Sequence, residues 1–412
     1  MTSRIRLPGR LKPLLIRPPT WADRHPRPVS RRVYAAAHVA AFPDGTIDWD
    51  ATMAFRDHLW AHGFAVADAM DTAQRGMGLT WDQAKELITH SARRAAAHRT
   101  AAQHTAAQHT GAQHTGAPPA WAQDAATGSA AMLACGAGTD QLPAGRSYRL
   151  AEITTAYEEQ MDLVQAAGAQ VILMASRAMA ASAQSPRDYL NIYGYLLGQA
   201  DQPVIVHWLG EAFDPRLRGY WGAADFETAA DTVIELVQRA EGKVDGVKLS
   251  VLDSKHELAL RRRLPPGVRL YTGDDFNYAS LIKGGPEGHS DALLGAFAAI
   301  AAPAAEAIAA LDAGNLARYD VIMDPTVLLS RTIFEKPTFN YKAGIAFLAW
   351  LNGLQPHFAM VNGFQDRRPV AHLIRVFELA AAAGALLRPD LAVERMDQYL
   401  VDGPEASQGT AP

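Results

Sequence analysis

The sequence contains one cysteine, Cys135, among its 412 residues. A single thiol excludes an internal disulfide framework and is typical of a protein that works in the reducing cytoplasm. No stretch approaches the roughly 18 uninterrupted apolar residues of a membrane-spanning helix, so no membrane partner is expected. An excess of one charge sign is also lacking, because the formal net charge is −4 and no basic stripe with interleaved aromatics occurs. The expected partner is therefore a small neutral or acidic molecule, not nucleic acid.

Residues 1–32 differ from the rest in composition, since eight arginines alternate there with six prolines. They do not form a secretory signal, because the apolar run at residues 11–16 is too short and no small-residue cleavage pattern follows it. Two interpretations stay open: an arm extended over the domain or a partner subunit, and a disordered tail. Residues 401–412 are also predicted to be disordered.

Residues 98–129 contain a short repeat. Ala-Ala-Gln-His-Thr occurs twice and Gly-Ala-Gln-His-Thr once, which places His104, His109 and His114 five residues apart. On a helix of 3.6 residues per turn that spacing turns each side chain well away from the previous one, so the histidines form no row of metal ligands. We predict a low-complexity insertion in a surface loop.

Short apolar segments alternate with amphipathic helical segments over residues 33–313. This alternation predicts an α/β protein with a (β/α)8 TIM barrel, followed by a helical C-terminal extension at residues 314–400. Aromatic residues of that extension form either a subunit contact or part of the core: Phe334, Phe339, Tyr341, Phe347 and Trp350. The strands are predicted at residues 33–41, 64–70, 130–135, 170–174, 203–208, 242–253, 268–272 and 289–294.

The sixth predicted strand carries a lysine in an apolar setting. Val247 and Leu249 share one face of this strand, and Lys248 and Ser250 share the other. In a parallel strand covered by helices the branched residues face the helices, so Lys248 is predicted to point into the barrel. Burial disfavours the charged amine and prepares a lysine for attack on a carbonyl group. The alternative is a lysine that reaches solvent or pairs with Asp253.

Residues 42–48 lie at the end of strand one, 78–83 at the start of the second helix and 134–139 at the glycine turn of strand three. Residues 202–208 lie in strand five, 246–248 in strand six, and 271–275, followed by the glycine-rich 284–288, at strands seven and eight. In this order and spacing the segments resemble the dihydrodipicolinate synthase and N-acetylneuraminate lyase superfamily of class I aldolases. The resemblance implies a (β/α)8 barrel whose sixth strand forms a Schiff base through Lys248.

Two positions depart from the superfamily pattern. Members that bind pyruvate carry Gly-Thr-Thr-Gly-Glu after strand two, where this chain has Asp71, Thr72, Ala73 and Gln74. An aspartate there repels a carboxylate and suits hydroxyl groups, which favours a substrate derived from a sugar or sugar acid. The proton-shuttling tyrosine of strand five is replaced by His207, whose unperturbed pKa near 6.5 suits the same task.

The resemblance therefore predicts a cytoplasmic lyase or aldolase that forms a Schiff base between Lys248 and the keto group of a small, polyhydroxylated substrate. His207 is predicted to move the proton, and no cofactor or metal is expected. The resemblance also implies a homo-oligomer, a dimer or a tetramer. Substrate-binding roles are predicted for Asp71, Thr72, Gln74, Arg177, Glu211 and Asp274.

Other interpretations of these residues stay open. Arg177 pairs with a loop carboxylate, Asp71 caps a turn, or Asp274 caps the following helix. A different function on the same barrel is a metal-dependent isomerase, epimerase or aldolase, with ligands from His38, Asp71, His207, Glu211 and Asp274. A barrel that binds a sugar without catalysis is the third possibility.

Overall fold

A computed structural model of the protein describes residues 2–70, 75, 78–110, 132–143 and 145–402. The internal contacts divide the chain into two compact units. The barrel unit consists of Pro26–Ala37 and Gly63–Gly295. The helical unit consists of Met1–His25, His38–His62 and Ala296–Pro412. None of the helices in the described ranges combines the length and the apolarity that crossing a membrane requires.

The barrel unit contains eight parallel strands that close into a ring, which confirms the predicted (β/α)8 barrel. Each strand pairs with the next along the chain, and the last pairs with the first. The strands are β1 Val33–Ala36, β2 Ala65–Asp68, β3 Leu133–Ala137, β4 Gln170–Leu173, β5 Val204–Leu209, β6 Val244–Ser250, β7 Arg269–Thr272 and β8 Asp291–Leu294.

Helices alternate with these strands along the chain and continue past the last strand. Those of the barrel unit are α2 to α8, and the helical unit contains α1 and α9 to α14. In chain order they are α1 Trp49–Ala61, α2 Trp81–Thr110, α3 Leu150–Ala166, α4 Arg177–Ser182, α5 Pro186–Gly198, α6 Phe226–Arg239, α7 Ser254–Arg263, α8 Tyr278–Lys283, α9 Ala296–Ala299, α10 Ala301–Asp312, α11 Leu316–Ile333, α12 Lys342–Leu351, α13 Val370–Ala382 and α14 Pro389–Asp402.

Helix α2 extends into the insertion that the sequence predicts at residues 98–129, since it continues through the first two repeats to Thr110. The predicted loop is therefore wrong for residues 98–110. Alanine and glutamine are good helix formers, and the chain contains no glycine or proline between Trp81 and Gly111 to end the helix. The rest of the predicted insertion, with His114, lies outside the described residues.

Two tyrosines lie on the inner face of the barrel, in a buried cluster with alanines and larger aliphatic residues. Tyr34 of β1 and Tyr271 of β7 belong to one buried cluster and meet edge to face, with ring centroids 5.8 Å apart. Gly246 of β6 leaves room for this arrangement, since a Cβ there would lie 2.7 Å from Cε2 of Tyr271. The tyrosines therefore depend on a glycine in the adjacent strand.

Polar groups anchor the same tyrosines at the amino ends of the strands. The Tyr271 hydroxyl donates to Asp245 at 2.5 Å, and the Tyr34 hydroxyl donates to Gln170 at 2.7 Å. Arg269 also donates to Asp245, at 2.7 Å. In a barrel this face serves stability, and the opposite face, at the carboxyl ends of the strands, carries the active site.

In the helical unit the N-terminal residues are ordered against the C-terminal helices. Ser3–Ile5 and Leu14–Ile16 pair as an antiparallel hairpin. Ser3 Oγ donates to Asp390 at 2.5 Å, and Trp21 Nε1 donates to the carbonyl oxygen of Gly384 at 2.7 Å. These contacts form an extended arm within this unit.

The aromatic residues of the C-terminal segment belong mainly to the core. Phe334, Tyr341, Phe347 and Trp350 are all buried within the protein. Phe334 and Tyr341 stack with their centroids 4.3 Å apart. Of the two alternatives drawn from the sequence, the structure supports core packing for these four residues.

Among the described residues, one buried carboxyl group of the barrel unit has hydroxyl groups and no basic group as its hydrogen-bond partners. Glu257 of α7 accepts hydrogen bonds from Ser290 Oγ at 2.7 Å and from Thr272 Oγ1 at 2.9 Å. Burial raises its pKa from the ordinary 4.5 to about 8, although these two hydrogen bonds act in the opposite direction. The folded protein therefore holds this proton at neutral pH.

We expect the Glu257→Gln substitution to flatten the pH dependence of stability. Between pH 4.5 and about 8 the folded state holds a proton that the unfolded state has released, so wild-type stability falls as the pH rises. The decrease is at most about 1.4 kcal/mol per pH unit for one group. Urea denaturation across this interval measures it, with the exposed Glu287→Gln as the control. Equal slopes for wild type and Glu257→Gln would contradict the assignment.

Candidate active site

Lys248 lies on the inner face of the barrel, near the carboxyl end of β6. Lys248 is aligned with His207 of β5 on one side and with Tyr271 of β7 on the other. Aligned residues of neighbouring parallel strands share a face, and Tyr271 belongs to the inner cluster. The side chain of Lys248 is buried, with 7% of the residue exposed. The alternative of a surface lysine paired with Asp253 is therefore not what the structure contains.

The side chain of Lys248 lies beside the thioether of Met70 and close to Gly273. The amine Nζ of Lys248 lies 4.0 Å from Sδ of Met70, in the segment that follows β2. A Cβ on Gly273 would lie 3.0 Å from Cε of Lys248 and 2.8 Å from the carbonyl oxygen of Leu249. The glycine after β7 therefore leaves the space in which the lysine side chain extends.

His207 is a buried and neutral neighbour of this lysine. Its Nε2 lies 3.2 Å from Oγ of Ser250, which shares the inner face of β6 with Lys248. Its Nδ1 is buried and has no hydrogen-bond partner in the described part of the chain. Burial, and in second place the charge of Lys248, hold the pKa of His207 well below its ordinary value. An unprotonated imidazole in this position is able to accept a proton.

Arg75 holds the segment after β2 against the segment after β3. Its Nη1 donates to the carbonyl oxygens of Ala69 and Gly136, and its Nε donates to Asp140 at 3.0 Å. Its Nη2 donates to Gln160 at 2.6 Å. Ala69 has a φ of 46°, a left-handed conformation that alanine rarely adopts. Arg75 therefore stabilises the turn that places Met70 beside the lysine.

A cavity of about 670 Å³ opens at the carboxyl ends of the strands. The segments that follow β3, β4 and β5 line it, and Met174 belongs both to its wall and to the inner cluster of the barrel. Lys248 is not part of the wall. Met70 and Met174 both lie close to Gly136, where an added Cβ would be 2.8 Å from Cα of Met70 and 2.5 Å from Sδ of Met174. Met70, beside the lysine, and Met174, in the cavity wall, are thus neighbours of the same glycine.

Arg177 lines this cavity and is held by a carboxylate. Its Nε donates to Oδ2 of Asp214 at 2.5 Å, so the pairing with a loop carboxylate considered from the sequence is present. Arg216 donates to the other oxygen of Asp214 at 3.0 Å. Arg177 is the first residue of α4, and Asp214 holds its side chain so that part of it faces the cavity.

The structure separates two other predicted binding residues from the cavity wall. The Glu211 side chain is 64% exposed and lies 3.9 Å from Arg218. Asp274 is buried and accepts hydrogen bonds from the backbone N–H groups of Phe276 at 2.9 Å and Asn277 at 3.1 Å, in the turn before α8, whose N-cap residue is Asn277. Burial raises the pKa of Asp274. Substrate-binding roles for these two residues stay predictions.

Three further binding residues predicted after strand two, Asp71, Thr72 and Gln74, lie outside the described residues. Of the residues considered as metal ligands, His38 belongs to the helical unit, where its Nε2 lies 2.6 Å from Oε1 of Gln355. The residues that the structure describes contain no group of three or more His, Cys, Asp or Glu side chains arranged to share a metal ion.

Sequence reasoning missed four residues of this site: Met70, Arg75, Met174 and Ser250. Ser250 was within reach, because the two-residue period of β6 already places it on the face of Lys248. Arg75 and the two methionines could not be predicted, because nothing in their local sequence indicates which carbonyl oxygens or side chains they contact.

We expect Gly273→Ala to destabilise the barrel unit by about 1–3 kcal/mol, because the new methyl group conflicts most with Oγ of Ser250, and also with the Leu249 carbonyl oxygen and Lys248. Urea denaturation measures the loss. Gly285→Ala is the matched control, since a Cβ there meets nothing within 4 Å. Unchanged stability of Gly273→Ala would show that the space around Lys248 is not restricted in this way.

The closed barrel of eight parallel strands, with its alternating helices, has the fold of the dihydrodipicolinate synthases. The enzyme of Aquifex aeolicus is 13% identical, with a TM-score of 0.59 over 87% of this chain and 99% of that chain. The enzyme of Thermotoga maritima is 13% identical, with a TM-score of 0.57 over 87% and 100%. That of Bacillus anthracis is 15% identical, with a TM-score of 0.56 over 84% and 97%. The predicted resemblance is confirmed at the level of the fold.

The chain belongs to the family described as "Protein of unknown function (DUF993)", whose profile matches residues 9–119 and 119–403. No curated protein matches the sequence.

Proposed function

We propose that the protein is a Schiff-base lyase or aldolase that acts on a small, polyhydroxylated keto compound derived from a sugar or sugar acid. The observation that carries the proposal is the position of Lys248, inside the barrel near the carboxyl ends of the strands and beside the buried imidazole of His207. Barrel enzymes keep their active sites at this end. A lysine that forms a Schiff base needs a largely desolvated amine.

The reaction begins when the neutral amine of Lys248 adds to the ketone carbon; a proton from solvent then protonates the hydroxyl group of the carbinolamine, and water leaves to give an iminium ion. A base removes the proton of a hydroxyl group two carbons from the iminium carbon. The bond between the carbon next to the iminium carbon and the carbon that carries the hydroxyl group then breaks. Its electron pair neutralises the iminium as an enamine, and the hydroxyl-bearing carbon leaves as an aldehyde. Protonation of the enamine and hydrolysis of the new iminium release the second product and restore the amine.

His207 is the base in this scheme. Its low pKa keeps the imidazole unprotonated at neutral pH, so that it accepts the hydroxyl proton and later returns it to the enamine. Ser250, 3.2 Å from Nε2, orients the ring. This leaves Nδ1, which has no partner among the described residues, as the nitrogen available for the substrate.

Substrate reaches the lysine past Met70 and Met174. Methionine is unbranched and adopts alternative rotamers at low cost, so these side chains can move aside while the backbone stays in place. The neighbouring cavity of about 670 Å³ is within the size range of small-molecule sites.

The rest of the assignment extends the same proposal. Asp71, Thr72 and Gln74 would bind substrate hydroxyl groups through their carboxylate, hydroxyl and amide groups. The enzyme would act in the cytoplasm as a homo-oligomer and would need neither a metal nor an organic cofactor.

Borohydride reduction tests the Schiff base directly. With a panel of keto sugars and 2-oxo acids we expect at least one compound to add irreversibly to the wild-type protein, with peptide mass spectrometry locating the adduct on Lys248. Lys248→Ala should give no adduct. Lys255→Ala, which removes an exposed lysine of α7, should behave as the wild type. An adduct that persists in Lys248→Ala, or none with any compound in wild type and Lys255→Ala, contradicts the mechanism. Activity that a chelator abolishes would instead support the metal-dependent alternative.

We expect His207→Gln to keep the borohydride adduct and to slow carbon–carbon cleavage by about 10²–10⁴-fold, since general base catalysis contributes that much. In the wild type the decrease in kcat/KM on the acid side should lie well below pH 6.5, because the pKa of His207 is lowered from that value. Steady-state kinetics with a compound that forms the adduct measure both effects. His256→Gln, on the surface of α7, is the control. A normal cleavage rate in His207→Gln would assign the proton transfer to another group.

A further inference from the structure

The described residues that line the cavity carry more positive than negative charge. They include four arginines and two aspartates, although the chain as a whole has a formal net charge of −4. A concave site with an excess of one sign raises the local concentration of ligands of the opposite sign. Only the wall charges that are not paired within the protein are available to a ligand.

Two of the six charges are used within the protein. Arg75 and Asp140 form an ion pair in which both side chains are largely buried, at 1% and 12% exposure. Arg75 also donates to Gln160 and to two carbonyl oxygens. The pair neutralises itself, so the remaining wall charges are Asp214 and three arginines.

Asp214 is shared by two of these arginines and is ionised. Although burial opposes it, the hydrogen bonds from Arg216 and Arg177 lower the pKa of Asp214. One carboxylate thus faces two guanidinium groups, which leaves a net positive charge at this point of the wall. The arrangement holds both arginines in place and neutralises only one of their two positive charges.

Arg177 contacts Asp214 through Nε alone. Its terminal nitrogens Nη1 and Nη2 form no hydrogen bond with the residues that the structure describes, and 22% of its side chain is exposed in the cavity wall. The two terminal nitrogens of a guanidinium group match the two oxygens of a carboxylate or phosphate. Arg146 lies in the same wall, with its guanidinium 4.5 Å above the ring of Tyr148.

We propose that Arg177, supported by Arg216 and Arg146, binds an anionic group, a phosphate or a carboxylate, at the end of the substrate remote from the ketone. This inference rests on the proposed function, because it takes the cavity as the substrate site of Lys248. It specifies the substrate class as an acidic or phosphorylated hydroxy compound. The carboxylate that Asp71 disfavours in pyruvate-type substrates is a different group, next to the ketone.

Binding of keto-free probes tests this subsite without any reaction at Lys248. Isothermal titration calorimetry compares glycerol 3-phosphate, glycerate and glycerol with the wild-type protein. We expect one of the two anions to bind, with an affinity that falls as salt is added, and glycerol not to bind. The stronger anion identifies the group as phosphate or carboxylate. Equal binding of glycerol, or binding of neither anion, overturns the proposal.

Variants locate the site. Arg177→Gln and, separately, Arg216→Gln should weaken binding of the anion by about tenfold or more, as expected for the loss of a hydrogen bond to a charged group. Arg177→Lys keeps the charge but loses the paired terminal nitrogens, so its affinity for the anion should lie between those of the wild type and Arg177→Gln. Arg218→Gln is the matched control, because this arginine follows β5, as Arg216 does, but does not line the cavity. Equal affinities for Arg177→Gln and Arg218→Gln contradict the assignment.

The experiment separates this inference from the proposed function. Lys248→Ala should bind the anion as the wild type does, since the probes contain no ketone. If the anion binds through Arg177 while no keto compound is trapped at Lys248, the subsite stands and the Schiff-base mechanism fails. If Lys248 is trapped but Arg177→Gln binds both anions normally, only the subsite fails.

Discussion

The space on the inner face of the barrel determines where Lys248 can lie, and the rest of the site follows from it. Tyr34 and Tyr271 fill the part of the interior towards the amino ends of the strands, and their hydroxyl groups are held there by Gln170 and Asp245. The lysine occupies the part towards the carboxyl ends. This division depends on small residues in the neighbouring strands, because a side chain in place of Gly246 or Gly273 would occupy the volume of Tyr271 or Lys248.

Burial then determines the chemistry of the groups beside the lysine. The imidazole of His207 has almost no access to solvent, and a second positive charge close to Lys248 would be costly, so the neutral form is favoured. At the mouth of the barrel charges are instead paired across loops. Arg75 and Asp140 join the segments after β2 and β3, and Arg177 and Asp214 join those after β4 and β5. A desolvated interior with an unprotonated imidazole thus lies below a rim of paired charges.

Much of this organisation could be predicted from the sequence. All eight barrel strands were expected at the right places, because each is a short apolar run bounded by turn residues, and the two-residue period of β6 placed Lys248 on the inner face. The first two repeats, within residues 98–110, were misinterpreted as a loop, because low complexity was given more importance than the high helix propensity of alanine and glutamine. For Asp274 the sequence left both capping and substrate binding open, since both need a carboxylate at the end of a strand, and in the structure this carboxylate accepts from the backbone of the turn before α8.

The sequence by itself determined the parallel barrel, the face on which the lysine lies and the identity of the residue beside it in β5. These features follow from periodicity and from the order of the strands, which are local properties of the chain. Only the tertiary structure decided which loop residues meet at the mouth. Arg75 and Asp140 are 65 residues apart, and Arg177 and Asp214 are 37 apart. Such pairs depend on the path of irregular loops, and no repeating pattern of side chains specifies that path.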